Sequence, residues 1–197
     1  MKSDELSQFL RDNVEPVKDP IRGNRYRAAA HLIDGTYLPC VVFESTQARV
    51  ELALRRFSEL AKNDAKYRTV VESFVARGSH IADYYVSDVE VSPFAWPVEL
   101  LRNIHGETIM SWTAFVAEMK DGTMYSYGTP FNMEFFDLPH GYSHTDISTI
   151  HSGMQYSQTM GLAKFSLNAM KEIPVLREKP FLTCYLKALS GGGLEAQ

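Results

Sequence analysis

Arg25-Tyr-Arg-Ala-Ala-Ala-His-Leu-Ile-Asp-Gly-Thr-Tyr-Leu-Pro-Cys-Val-Val-Phe43 is the stretch that decides how this chain folds. Two apolar, β-branched or aromatic runs flank Asp34-Gly35. A type I′ hairpin turn needs residues that tolerate positive φ, and Asp-Gly supplies them. Residues 25–33 therefore read as a strand and 36–43 as its antiparallel partner. Proline cannot donate to a ladder, so Pro39 predicts that the second strand lies at an edge or carries a bulge. Asp121-Gly122 repeats the signal between residues 108–119 and 123–127. The first of these runs is apolar on both faces (Met110, Trp112, Ala114 and Val116 against Ile109, Phe115 and Ala117), as a strand covered on both sides would be.

Outward from these hairpins, the pattern alternates between periods. Leu6, Phe9 and Leu10 follow Ser3, a plausible N-cap, at helical spacing. Val50, Leu54, Phe57 and Ala61 mark a helix over 46–62, and Tyr67, Val70, Val71 and Phe74 mark a second over 65–77. Residues 81–91 read as a strand whose alternation slips at Ser87-Asp88, as a bulge makes it. Pro97 suits the first turn of a short helix that Gly106 stops. Residues 131–136 and 181–189 read as strands. Tyr156, Met160, Ala163, Leu167 and Met170 give a helical stripe over 154–170. The expected fold is α+β: a mainly antiparallel sheet of about six or seven strands with two hairpins, packed by four or five helices. Residues 1–189 are expected to form one domain, and 190–197, with three consecutive glycines, a flexible tail.

Composition narrows the function classes. The chain has 197 residues, 45% of them hydrophobic and 22% charged, as in ordinary globular proteins. A formal net charge of −4 argues against a nucleic-acid binder held by phosphate contacts. Arg22, Arg25 and Arg27 form a local basic cluster, read as solvated charge flanking a strand. The two cysteines, Cys40 and Cys184, sit in apolar runs and read as buried free thiols. The N-terminal segment lacks the apolar core of a signal peptide, and no run is long enough to span a bilayer. The expected location is the cytoplasm, with no membrane contact.

No phosphate-binding loop, dinucleotide fingerprint, zinc-protease helix, Cys-x-x-Cys or nucleophile elbow occurs. The densest chemistry lies over residues 134–151, where Glu134, Asp137 and Asp146 accompany three of the six histidines. His140 and His144 are the candidate metal ligands and Glu134 and Asp137 the candidate ligand or base, because imidazole and carboxylate suit a divalent metal. If the segment from His144 to His151 were helical, those two rings would stand about 10 Å apart along the axis and could not share one ion. Glu118-Met-Lys120, with Asp88 upstream, is a weaker pattern of the metal-and-lysine kind, but it abuts a turn.

Aromatic residues are plentiful, at 12% of the chain. Tyr125, Tyr127, Phe131, Phe135, Phe136 and Tyr142 read mainly as core. Phe94, Trp96 and Tyr142 are the candidate partner contacts, since loop aromatics either plug a core or anchor a partner. Two functions follow. One is a binding module that acts through a protein partner or by self-association, in the manner of an immunity or inhibitor protein. The other is a metal-assisted hydrolase with its site in 134–151.

Overall fold

The computed structural model describes residues 2–20, 22–47, 79–108, 112–129, 135–166 and 179–191. The chain divides into two compact units, Met1–Pro93 with Phe181–Gln197, and Phe94–Pro180. Among the described residues eleven strands stand against two α-helices, α1 (Ser3–Asn13) and the four-residue α2 (Val98–Leu101). The architecture is mostly strand, and the expected packing of a sheet by four or five helices is corrected accordingly. Of the helices expected at 46–62 and 65–77, residues 46–47 are described and are helical, and the rest lies outside the described residues.

The first unit holds β1 (Pro16–Asp19), β2 (Gly23–Leu32), β3 (Tyr37–Ser45), β4 (His80–Ile81), β5 (Val86–Val91) and β11 (Leu182–Leu186) in one six-stranded sheet. Its order is β1-β2-β3-β11-β4, with β5 also on β2. β1 pairs Gly23–Tyr26 and β5 pairs Ala28–Leu32, so the two share one edge of β2 while β3 takes the other. The sheet is mixed rather than simply antiparallel, because β11 runs parallel to both β3 and β4. On one face Tyr26, Ala28 and Ala30 alternate inward with Val41, Phe43, Cys184 and Leu186, and Leu6 and Leu10 of α1 pack against them. The cap of α1 lies one residue before the expected Ser3: Lys2 occupies it, and its N–H donates to Glu5 Oε2 at 2.9 Å.

Two irregularities in this sheet answer to sequence. His31 pairs Asp88 and Leu32 pairs Val86, so Ser87 is the extra residue of a bulge in β5. Ala28 pairs Val41 and Ala30 pairs Leu38, which places a bulge in β3 beside Pro39. Proline is thus accommodated in a strand paired on both sides.

The opposite face of β2 carries Arg25 and Arg27, and the structure buries both. Their reading as solvated charge is corrected. Arg25 Nε donates to Glu44 Oε1 at 2.7 Å, and Arg22 Nη1 approaches the same oxygen at 3.5 Å. The carboxylate at the end of β3 is what allows guanidinium to remain inside, since a buried charge needs a partner.

The second unit contains β6 (Thr113–Met119), β7 (Met124–Thr129) and β8 (Ile147–Ser152) in an antiparallel sheet ordered β7-β6-β8. β6 is its central strand, and Ala114, Phe115, Val116 and Ala117 are all buried, as two-sided apolarity requires. β9 (Met154–Ser157) and β10 (Gly161–Lys164) form a separate hairpin. This corrects the helix expected over 154–170 for its described part. Gly161 takes φ 67 after the turn at 158–160, a left-handed conformation that reverses the chain and that glycine reaches without strain. The stripe from Tyr156 to Ala163 had the right spacing for a helix but spans that turn.

Both Asp-Gly hairpins use the same turn. In each, the glycine N–H donates three residues back (Gly35 to Leu32 at 3.0 Å, Gly122 to Met119 at 2.9 Å). The glycines have φ 86 and 82. The strand-end N–H then donates to the threonine carbonyl (Leu32 to Thr36, Met119 to Thr123, both 2.8 Å). This is a three-residue loop with glycine at the left-handed position, not the two-residue type I′ turn expected from sequence.

Gly128, which pairs Ala114 across β6 and β7, carries a packing constraint. A methyl group built there overlaps Trp112 Cζ2, so the indole lies directly on the glycine. Gly128→Ala is expected to cost about 1–3 kcal/mol by overpacking. Denaturant titration checks it, and adding Trp112→Ala should remove the clash, so that the double variant loses less than the two single losses added together.

Candidate interaction surface

The segment expected to hold a metal folds as loop, 3-10 turn and strand. Glu134 lies outside the described residues. Asp137 is half-buried, and Lys179 Nζ meets its Oδ2 at 2.9 Å. The same ammonium sits 4.7 Å from the centroid of the Phe94 ring, so Phe94 is one wall of a small cation–π and ion-pair cluster. His140 is exposed on the turn Pro139–Tyr142, where Gly141 has φ 91. His144 opens the 3-10 turn His144–Asp146, and its ring lies edge-on to Trp96 with centroids 6.3 Å apart. Among the described residues no three His, Cys, Asp or Glu side chains gather closely enough to hold a metal ion.

Trp96 is fully buried. It stands among Phe115, Tyr127 and Phe136, with ring centroids 6.0, 5.0 and 5.3 Å away. Phe115 and Tyr127 stack at 5.0 Å, and Tyr127 donates its hydroxyl to the Asp137 carbonyl at 3.0 Å. These rings form the core of the unit, as most of the aromatic run was expected to; Phe131 lies outside the described residues.

Tyr142 reaches the tip of the β6–β7 hairpin. Its hydroxyl donates to Asp121 Oδ2 at 2.6 Å, and its ring meets Tyr125 edge-on. The Tyr142 phenol and the Thr123 N–H hold the Asp121 carboxyl below the ordinary carboxylate range, and Asp121 in turn pushes the phenol up. Asp146 is lowered likewise by the N–H and hydroxyl of Ser143. A carboxyl depressed in the folded state stabilises that state above its unfolded pKa, and the contribution is lost as pH falls through the folded value. Tyr142→Phe should therefore move the Asp121 midpoint upward in an NMR titration of the side-chain carboxyl; an unmoved midpoint would contradict the assignment of the phenol as the main cause.

Glu118 and His151 face one another between β6 and β8, with Nε2 and Oε2 2.7 Å apart. His151 lies on a strand, so the helical case weighed for His144 to His151 does not apply. Lys120 is exposed on the turn, and Asp88 belongs to the first unit.

Four of the five large exposed apolar side chains among the first unit's described residues lie at one end of its sheet; the fifth, Val91, is at the far end of β5. Ile33 is 65% exposed, Tyr84 72%, Tyr85 48% and Tyr37 42%. The Ile33 N–H donates to the Tyr85 carbonyl at 2.9 Å, which carries the β2–β5 pairing on into the 3-10 turn Asp83–Tyr85. The Tyr84 and Tyr85 rings lie 4.6 Å apart, and His31 lies 4.9 Å from Tyr37. Asp34, Asp88 and Glu90 are exposed around them, with Glu90 Oε2 3.7 Å from His31 Nε2. Burial, followed by the Glu90 carboxylate, raises the Tyr37 phenol. The sequence pattern places Tyr84 on a strand, whereas it lies in the 3-10 turn. Its signal was nonetheless present: adjacent residues on an extended chain point to opposite sides, so Tyr84-Tyr85 could not both turn inward.

No helix among the described residues is long and apolar enough to cross a membrane. The chain matches no known protein family, no curated protein and no solved structure.

Proposed function

We propose that this protein is a binding module that acts through a protein partner or a second copy of itself, and that Ile33, Tyr37, Tyr84 and Tyr85 form its contact surface. The observation that carries the reading is the exposure of three tyrosines and an isoleucine together at one sheet end. Contiguous exposed apolar surface marks interaction sites, and tyrosine is a frequent anchor there because it combines a large ring with a polar tip. The acidic rim of Asp34, Asp88 and Glu90 favours a partner of opposite charge and excludes like-charged ones. Cys40 and Cys184 are buried and form no disulfide, which suits a reducing compartment such as the cytoplasm. The alternative, a metal-assisted hydrolase, gains nothing from the placement of Asp137, His140 and His144.

A photo-cross-linking amino acid at Tyr84 in the producing cell tests this. A discrete adduct is expected there, lost when Ile33→Asp is added, and no adduct is expected from the same probe at exposed Thr149 on β8. An Ile33→Asp change at an exposed position should leave stability within about 0.5 kcal/mol, so a lost adduct reports contact rather than unfolding. Equal labelling at both positions, or none at Tyr84, counts against the proposal.

A further inference from the structure

The two Asp-Gly-Thr turns are alike in backbone geometry but differ in one contact, and the difference bears on covalent chemistry. In both, aspartate Oδ1 accepts the N–H of the threonine two residues on (Thr36 to Asp34 and Thr123 to Asp121, both 2.9 Å). At Asp121 the second oxygen also accepts the Tyr142 hydroxyl at 2.6 Å. Among the described residues no donor from outside its own turn reaches Asp34.

We propose that Asp34-Gly35 is a site of spontaneous isoaspartate formation in the folded protein, and that Tyr142 protects the otherwise equivalent Asp121-Gly122. In the reaction the Gly35 nitrogen attacks Cγ of the protonated Asp34 side chain. A C–N bond forms, the nitrogen gives up its proton, and the carboxyl hydroxyl leaves with a proton as water. The product is a five-membered imide. Water then adds to one of its carbonyls. Opening at Cγ regenerates aspartate, whereas opening at the α-carbonyl breaks that carbon's bond to nitrogen and routes the main chain through Cγ. Water lost equals water gained, and no oxidant or other reactant is needed.

Both carboxyls must leave the threonine N–H to reach the glycine nitrogen, and both glycine N–H groups must leave a carbonyl. These costs are common to the two turns. Asp121 must in addition release Tyr142, and that hydrogen bond is made to the charged form, which cannot react. A glycine on the attacking side leaves the approach unhindered at both sites. Asp34 is therefore the faster site, and its conversion adds one carbon to the main chain between Ile33 and Tyr37. That this would alter partner binding rests on the proposed contact role; the modification itself does not.

The test is to age the full chain at neutral pH and body temperature, digest it, and quantify isoaspartate at each site by electron-transfer fragmentation. Asp34 is expected to convert several-fold faster than Asp121 in the folded protein, because only Asp121 must first give up a hydrogen bond from outside its own turn. In denaturant the two rates should converge, since the local sequence is Asp-Gly-Thr at both. Tyr142→Phe should raise the Asp121 rate toward that of Asp34 and leave Asp34 unchanged. Equal rates in the folded wild-type protein, or faster conversion at Asp121, would overturn the proposal without need of any variant.

Discussion

Trp96→Ala is expected to lower the unfolding free energy of the second unit by about 3–5 kcal/mol, the range found when a fully buried aromatic side chain is truncated. The indole is wholly buried and has Phe115, Tyr127 and Phe136 around it in edge-on or tilted geometry. Such aromatic pairs add about 0.5–1.5 kcal/mol each beyond area burial. Neighbouring rings cannot collapse into the space, because Phe115 and Tyr127 are stacked on each other and Tyr127 is tied to the Asp137 carbonyl. Urea titration followed by Trp112 fluorescence, the one tryptophan left in the variant, measures the loss. Trp96→Phe should recover part of it. A loss below about 0.5 kcal/mol, the scale of a tolerated surface change, would mean that Trp96 is not the centre of this core.

The second large effect belongs to the buried ion pair of the first unit. Glu44→Ala is expected to cost about 3–5 kcal/mol, because removing one partner leaves the other charge inside the protein without its counter-ion. Arg25 Nε and Glu44 Oε1 are 2.7 Å apart, with side chains 7% and 6% exposed. Arg22, 45% exposed, shares the same oxygen but can turn to solvent. The paired replacement Arg25→Met with Glu44→Leu should be far milder than Glu44→Ala, since it removes both charges and keeps apolar volume. Chemical denaturation of the variants settles the matter: if the double variant falls as far as the single one, charge pairing is not what holds these residues inside.

Local chemistry made much of this structure legible. The Asp-Gly pairs located both hairpins, Pro39 foretold a bulge, and the slip at Ser87-Asp88 was a bulge in fact. What failed did so because the deciding interactions are not local. The parallel docking of β11 between β3 and β4 joins segments far apart in the chain. Arg25 looks solvent-facing until Glu44, nineteen residues away, is placed beside it. The stripe over 154–170 satisfied a helical period by coincidence; Gly161 was the contrary signal, at a cost of about 1 kcal/mol inside a helix. The candidate site fared worse. Histidine and carboxylate density over 134–151 reflected turn closure and ion pairing, whereas the exposed Tyr84-Tyr85 pair carried no motif.

The three-partner position of β2 also bears on how the sequence can drift in length. Side chains on a strand alternate strictly, so one inserted or deleted residue would send every residue beyond it to the wrong face. On β2 that error would propagate at once into β1, β3 and β5, exchanging Tyr26, Ala28 and Ala30 for the Arg25–Arg27 side. An extra residue can be absorbed only as a bulge, and the bulges beside β2 sit on its neighbours, at Ser87 and next to Pro39. Insertions and deletions should therefore be tolerated in those neighbours and in the connections, while the span Gly23–Leu32 keeps a fixed length in any descendant that retains this sheet.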